Sequence, residues 1–246
     1  MTTLAIIGGT GLTSLDGLTI SEHKFVETPY GEPSSPLLLG EYEGKKVIFL
    51  PRHGPQHTIA PHKVNYRANI WALYALGVEK IIAVAAVGGI SRNLPPSTLA
   101  IPDQIIDYTY GREQSFYSDD FTADKHLDFT QPYDAELRQI ILSAAIRQKI
   151  AITDGGTYGA TQGPRLETAA EIRRLEQDGC AMVGMTGMPE AYLARELGMA
   201  YATCAVMANW AAGITDDAIQ MSEIEHVLDK GMTQVKQLLA EIIRVQ

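Results

Sequence analysis

The sequence predicts an α/β fold, a single domain with a central, mostly parallel, twisted mixed β-sheet flanked by helices. Short apolar runs ending in glycine or polar residues, the mark of buried parallel strands, recur at "LAIIGGTGL" (4–12), "KKVIFLPRHG" (45–54) and "EKIIAVAAVGGI" (79–90). Between the last two, "KVNYRANIWALYALG" (63–77) sets Val64, Ala68, Ile70, Trp71 and Leu73 at roughly helical spacing and stops at Gly77. Strand, helix, strand is a βαβ crossover, and ligands of such sheets gather at the carboxyl ends of the strands.

The remaining elements follow by the same reasoning. Strands are expected within 98–106, 155–163, 180–185 and 200–209, and helices over about 134–149, 167–178, 188–197 and 223–244. Pro33, Pro36, Pro61, Pro95 and Pro96 fall between these elements, as a residue with a fixed φ and no N–H should. No internal repeat or dividing linker is visible, so one domain is expected over 1–246.

Composition narrows the partners. The 246 residues are 46% hydrophobic and 20% charged, the profile of a soluble chain with a sizeable core. Acidic residues outnumber basic ones 29 to 20, a net charge of −9 with no Lys/Arg cluster, which argues against nucleic acid. Two cysteines, Cys180 and Cys204, are too few for a disulfide framework, and "MTTLAIIGGTGL" lacks a basic n-region or a long apolar stretch. A cytoplasmic protein that does not engage membranes is expected.

Several short segments could carry chemistry. "GGTGLTS" (8–14) is not a dinucleotide fingerprint, because Ser14 stands at the third glycine and no clear helix follows; Thr10 at the apex of a glycine turn could still hold one anion. "PRHGPQHTIAPH" (51–62) brings Arg52 and His53 together with His57 and His62. Prolines and glycine deny those histidines a helix face and no carboxylate accompanies them, so an Arg-His pair suits phosphate better than a metal, although the segment alone reads first as a surface loop with a solvated Arg. Small residues around Ala86 and Gly88 let a ligand approach the backbone, although tight packing would look the same. Glu167 stands where a helix begins and would ordinarily be read as a carboxylate meeting the helix dipole. Met185 and Thr186 end a strand, and Glu190 with Asp216 and Asp217 shows no spacing that singles out a paired-carboxylate glycosidase. Asn209, one amide inside "CAVMANWAAG" (204–213), needs partners from the protein or from a ligand.

Taken in order, "IIGGTGL", "PRHGPQHTIAPHKVNYRANIWAL", "VGGI", "DQIID", "QSFY", "GPRLETAAEI", "VGMTGMPEAYLARELG" and "YATCAVMAN" resemble the methylthioadenosine and purine nucleoside phosphorylases of the trimeric class, in register from residue 5 to about 209 and again in the final helix. The resemblance implies a nucleoside phosphorylase-like fold and cleavage of a purine N-glycosidic bond by inorganic phosphate, which is a co-substrate; no cofactor and no metal is implied. It assigns phosphate to Thr10, Arg52, His53, the backbone at Ala86 and Thr186, with Met185 against the ribose and Leu166, Glu167 and Asn209 at the base. Arg52, His53 and Asn209 are the implied catalytic residues, and a homotrimer, or else a hexamer, the implied assembly. Fixed donors on both sides of an oxocarbenium-like sugar favour such a transition state.

The departures from the adenine-specific members set the expected substrate. Those members carry Asp at the positions of Asn209 and Ala211 and Ser at that of Glu167, whereas a Glu-Asn pair resembles the hypoxanthine and guanine enzymes. Hydrogen-bond accounting agrees: a 6-oxopurine offers an N1–H donor and an O6 acceptor, which suit an ionised carboxylate and an amide N–H, while adenine offers the reverse. At the sugar end, the His that binds a 5′-hydroxyl in inosine-cleaving members aligns with Ile224, which with Met221 suits a 5′-methylthio group; Ala85 departs from the Thr or Asn of many relatives. S-methyl-5′-thioinosine is therefore the expected substrate, yielding hypoxanthine and 5-methylthioribose 1-phosphate. The alternatives are inosine/guanosine phosphorolysis, then methylthioadenosine phosphorolysis, and, in a different class, a non-catalytic purine-binding protein.

Overall fold

A computed structural model describes residues 3–9, 12 and 15–245. In chain order these form β1 (Thr3–Gly8), β2 (Leu18–Lys24), β3 (Leu37–Tyr42), β4 (Lys45–Pro51), α1 (Tyr66–Ala75), β5 (Val78–Gly89), β6 (Leu99–Ile101), β7 (Gln104–Asp107), α2 (Ala135–Gln148), β8 (Ile152–Asp154), β9 (Thr157–Ala160), α3 (Ala169–Gln177), β10 (Cys180–Gly184), α4 (Gly187–Glu196), β11 (Ala200–Trp210) and α5 (Met221–Arg244). The strands join in one sheet of order β2-β3-β4-β1-β5-β10-β9-β7, with β11 beside β5 and β6, and β8 beside β6. Six of its ten pairings among the described residues are parallel, so the sheet is mixed and mostly parallel as expected.

Helices cover both faces. Ile70 and Leu73 of α1 and Ala191 and Leu193 of α4 pack on one side of the sheet with Ile7, Ile81 and Met207. Leu137 and Ile141 of α2 and Val235, Leu239 and Ile242 of α5 pack on the other with Ile6, Ile82 and Val206. Consecutive residues such as Ile6 and Ile7 thus serve opposite cores, which is why β1, β5 and β11 read as continuous apolar runs.

The sheet is interrupted where it matters. β11 runs along one edge of β5 from Lys80 to Gly89. On the other edge, the pairing with β1 ends at Ala83 and that with β10, antiparallel, is confined to Gly88 and Gly89. Among the described residues, 84–87 therefore have no strand partner on that edge, and Ala86 is exposed although Ala85 and Val87 beside it are buried. The open interval of β5 lies just beyond the carboxyl ends of β1 and β4.

Local chemistry sets the boundaries. Helix α1 starts later than the periodicity alone implies, because the Asn65 side chain accepts the Ala68 N–H and fixes the first turn. The 98–106 segment divides into β6 and β7 at Pro102-Asp103. Strands β2 and β3 are absent from the sequence reading, since "LTISEHK" has little apolar alternation and is held chiefly by its antiparallel ladder to β3.

Gly184, the last residue of β10, sits where any side chain would press into the Tyr158 hydroxyl and Val87. Gly184→Ala is expected to lower unfolding stability by about 1–3 kcal/mol through overpacking. Urea denaturation checks this, and an unchanged midpoint would contradict the packing described.

Candidate active site

Arg52, immediately after β4, projects into the gap beside β5. Its backbone N–H donates to Gly8 O, joining the ends of β4 and β1, and its Nη1 donates to Val84 O at 3.1 Å, on the edge that lacks a strand. Nε and Nη2 form a two-pronged pair with Glu190 at 2.7 and 2.8 Å, and the Tyr201 hydroxyl donates to the same carboxylate at 2.8 Å. Arg52 is 2% exposed and Glu190 is fully buried. Burial works against the guanidinium's charge, but the Glu190 carboxylate outweighs it and raises the pKa above the ordinary value. Three of five N–H groups are engaged, leaving one on each terminal nitrogen.

His53 Nδ1 lies 2.8 Å from Ile59 O, and Ile59 N–H returns a bond to His53 O at 3.0 Å. A carbonyl can only accept, so the hydrogen is on Nδ1 and Nε2 of the neutral ring is an acceptor. Burial and then the Arg52 charge push His53 down to about 4, which keeps it neutral near pH 7. The sequence reading counts imidazole as one more donor to phosphate, but here that donor is engaged. His57 packs its ring 4.6 Å from His53, and His62 Nδ1 is buried with no hydrogen-bond partner among the described residues. Thr186 is buried at the end of β10, its N–H 3.4 Å from the Tyr158 hydroxyl, and the Met185 side chain lies against Gly163. Thr10 lies outside the described residues.

On the base side, the helix-start reading of Glu167 gives way to another arrangement. Thr168 is the N-cap of α3, its hydroxyl accepting from Glu171 N–H while the Glu171 carboxylate accepts from Thr168 N–H. The cap is complete without Glu167, whose Oε1 instead accepts from the Thr161 hydroxyl at 2.6 Å. Leu166 is exposed beside it. Asn209 pairs with Gly88 one residue before the end of β11, after a one-residue irregularity that follows Met207. Its Nδ2 donates to Trp210 O at 2.6 Å, which fixes the orientation of the amide and leaves a second N–H and Oδ1 for a ligand. Gly213 lies against Ala169, so the chain after β11 meets the start of α3 close to Glu167.

The expected 5′ residues lie at the start of α5. Ile224 is half-buried and Met221 is 63% exposed on the first turns of α5, whose fully buried positions begin only at Gly231. Asp216 and Asp217 lie exposed in the preceding loop. Sequence reasoning missed the partners of Arg52: Glu190 was considered only as half of a carboxylate pair, and its place on α4, 138 residues away, has no local signal. It also missed Arg112, whose guanidinium stacks on Tyr66 and donates to the carbonyls of Thr161, Gln162, Met185 and Met188. That residue ties the loop leading to Glu167 to the end of β10.

Comparison with known proteins fits this geometry. Residues 3–244 match the Phosphorylase superfamily. A Pseudomonas syringae pv. tomato protein named "Probable S-methyl-5'-thioinosine phosphorylase" is 51% identical over 243 residues, 99% of each chain. A Thermococcus kodakarensis protein named "Probable 6-oxopurine nucleoside phosphorylase" is 43% identical over 250 residues, 99% of this chain and 92% of its own. Among solved structures, a methylthioadenosine phosphorylase from an Antarctic soil metagenomic library superposes with a TM-score of 0.93 at 38% identity, over 99% of this chain and 86% of that one. With the match running from β1 to the end of α5, the chain belongs to the phosphorylase superfamily, among its nucleoside phosphorylases.

Proposed function

We propose that the chain transfers the 5-methylthioribosyl group of S-methyl-5′-thioinosine from hypoxanthine to inorganic phosphate, its co-substrate, with no cofactor or metal. The observation that carries this reading is Glu167, a carboxylate released from helix capping and held by Thr161 close to the end of the strand that bears Asn209. An ionised carboxylate accepts the N1–H of a 6-oxopurine and meets only a lone pair on adenine, a mismatch that costs a few kcal/mol. The relative at 51% identity bears a name for the same substrate.

In this reading phosphate occupies the sheet gap at Ala86, receiving the two remaining N–H groups of Arg52 and the Thr10 and Thr186 hydroxyls. His53 Nε2 accepts a hydrogen bond from the P–O–H that hydrogen phosphate still carries, with no proton transfer. Phosphate attacks C1′ as the glycosidic bond breaks, Met185 packs on the ribose, and the free N–H of Asn209 stabilises the negative charge that develops on the leaving purine. Leu166 flanks the base, and Ile224 and Met221 receive the methylthio group.

Inosine or guanosine is the second reading, favoured by the Thermococcus relative and by the openness of the 5′ region in a single chain. Both readings share the base site. We further propose a homotrimer, with a hexamer as the alternative, in which a neighbouring copy covers the apolar surface left at Phe121, Leu127 and Met221. A cytoplasmic location is proposed from two buried, unpaired cysteines. Among the described residues no helix is long and apolar enough to cross a membrane.

Purified protein incubated with methylthioinosine, methylthioadenosine and inosine, with and without phosphate, is expected to release purine chiefly from methylthioinosine and only with phosphate. Preference for methylthioadenosine would overturn the base reading. Asn209→Asp is expected to shift preference toward 6-aminopurine nucleosides at least tenfold, about 1.4 kcal/mol; an unchanged base ratio counts against the role of Asn209. His53 makes stability depend on pH. Its folded value, about 4, lies below the unfolded 6.5, so its contribution is complete above pH 6.5 and is lost as pH falls toward 4. His53→Asn keeps a donor for Ile59 O, and the stability advantage of the native chain over it should shrink by about 1–2 kcal/mol between pH 7 and 5. A difference independent of pH would refute a neutral, half-buried imidazole.

A further inference from the structure

Thr161 follows β9 and is fixed at both ends of its peptide unit. Its N–H donates to Gly184 O at 2.8 Å, and its carbonyl accepts from Arg112 Nη2 at 3.2 Å. The half-buried hydroxyl, carried on a β-branched side chain with few rotamers, has one proton and two acceptors in reach: Glu167 Oε1 at 2.6 Å and Gly184 O at 3.3 Å. The nearer, ionised acceptor takes it. Glu167 Oε2 receives no hydrogen bond from the described residues, so one carboxylate oxygen is anchored and the other is presented.

We propose that Thr161 is a specificity-determining positioning residue, which holds the Glu167 carboxylate as an acceptor for the N1–H of a 6-oxopurine. The inference rests on the base reading given above and deepens it. A carboxylate on a flexible two-carbon stem that turned away would leave N1–H unpaired and would no longer oppose the bare N1 of adenine. Thr161 keeps both the attraction and the rejection in force. Arg112 supports this from behind, since it fixes the carbonyls of Thr161 and Gln162.

The test compares Thr161→Val, of nearly the same shape, with Thr161→Ser, which keeps the hydroxyl, and with Glu167→Gln. KM and kcat for methylthioinosine, methylthioadenosine and phosphate are measured on each. Thr161→Val is expected to raise KM for methylthioinosine about tenfold, to lower the preference over methylthioadenosine by a similar factor and to leave KM for phosphate unchanged, while Thr161→Ser stays within about twofold of the native enzyme. Native preference in Thr161→Val, equal loss in the Val and Ser variants, or a parallel rise in the phosphate KM would each overturn the proposal. Glu167→Gln separates the two levels. If it loses the base preference while Thr161→Val retains it, only the role of Thr161 falls; if it retains the preference, the base reading itself fails.

Discussion

A buried ion pair holds the centre of this molecule together. Arg52 and Glu190 come from the end of β4 and from α4, two elements joined by no strand pairing, and they meet beneath the interval where β5 has lost its neighbour on one edge. A break in a sheet exposes backbone carbonyls that need donors, and Arg52 Nη1 supplies one to Val84. The guanidinium is itself tolerable there only because the Glu190 carboxylate neutralises it, and that carboxylate only because Arg52 and Tyr201 supply three donors between them. The cleft and the pair are thus mutually dependent. Removing either charge would leave the other buried and uncompensated, a loss of about 3–5 kcal/mol by general experience with such pairs.

Much of this architecture is legible in the sequence because the parallel core speaks through composition. β1, β5 and β11 are buried on both faces and appear as unbroken apolar runs, and α1 to α5 show up within a few residues of their ends. What stays hidden has a common physical character. Strand β2 owes its existence to pairing at the sheet edge, where most of its side chains face water and no periodic signal arises, and β3 is a short run interrupted by Gly40 and held between β2 and β4. The Arg52–Glu190 contact and the clasp made by Arg112 are long-range, and a single Arg or Glu looks alike in the sequence whether it is solvated or buried. The direction of the His53 ring depends on one carbonyl six residues away.

The base side shows how local economy separates structure from chemistry. Helix α3 needs an acceptor at its N-cap and a carboxylate in its first turn, and Thr168 and Glu171 provide both. Glu167, one residue earlier, is left with no structural task that would explain a carboxylate, and its one hydrogen bond comes from another strand end. The strength of the functional reading lies in that surplus: the sequence alone had an ordinary explanation for Glu167, and the geometry gives that explanation to its neighbours. Asn209 follows the same pattern, since one amide hydrogen satisfies Trp210 O and the remaining polar atoms exceed what the strand requires.

The electrostatics of the proposed phosphate site follow from the same ion pair. The chain carries a net charge of −9, and the most buried cation at the cleft is already matched by Glu190. Phosphate would then meet not a surplus of positive charge but a set of oriented donors, namely two guanidinium hydrogens, hydroxyls and backbone N–H groups. Such a site binds an anion by direction more than by net attraction, and it has advantages for a nucleophile that must leave its pocket in the direction of C1′. A strong net positive field would stabilise bound phosphate as much as the transition state and so would not lower the barrier between them. Fixed dipoles can instead be placed where they remain favourable as charge moves from phosphate toward the departing base. The neutral His53 belongs to this scheme, because burial and the neighbouring Arg52 charge both disfavour a second full cation there.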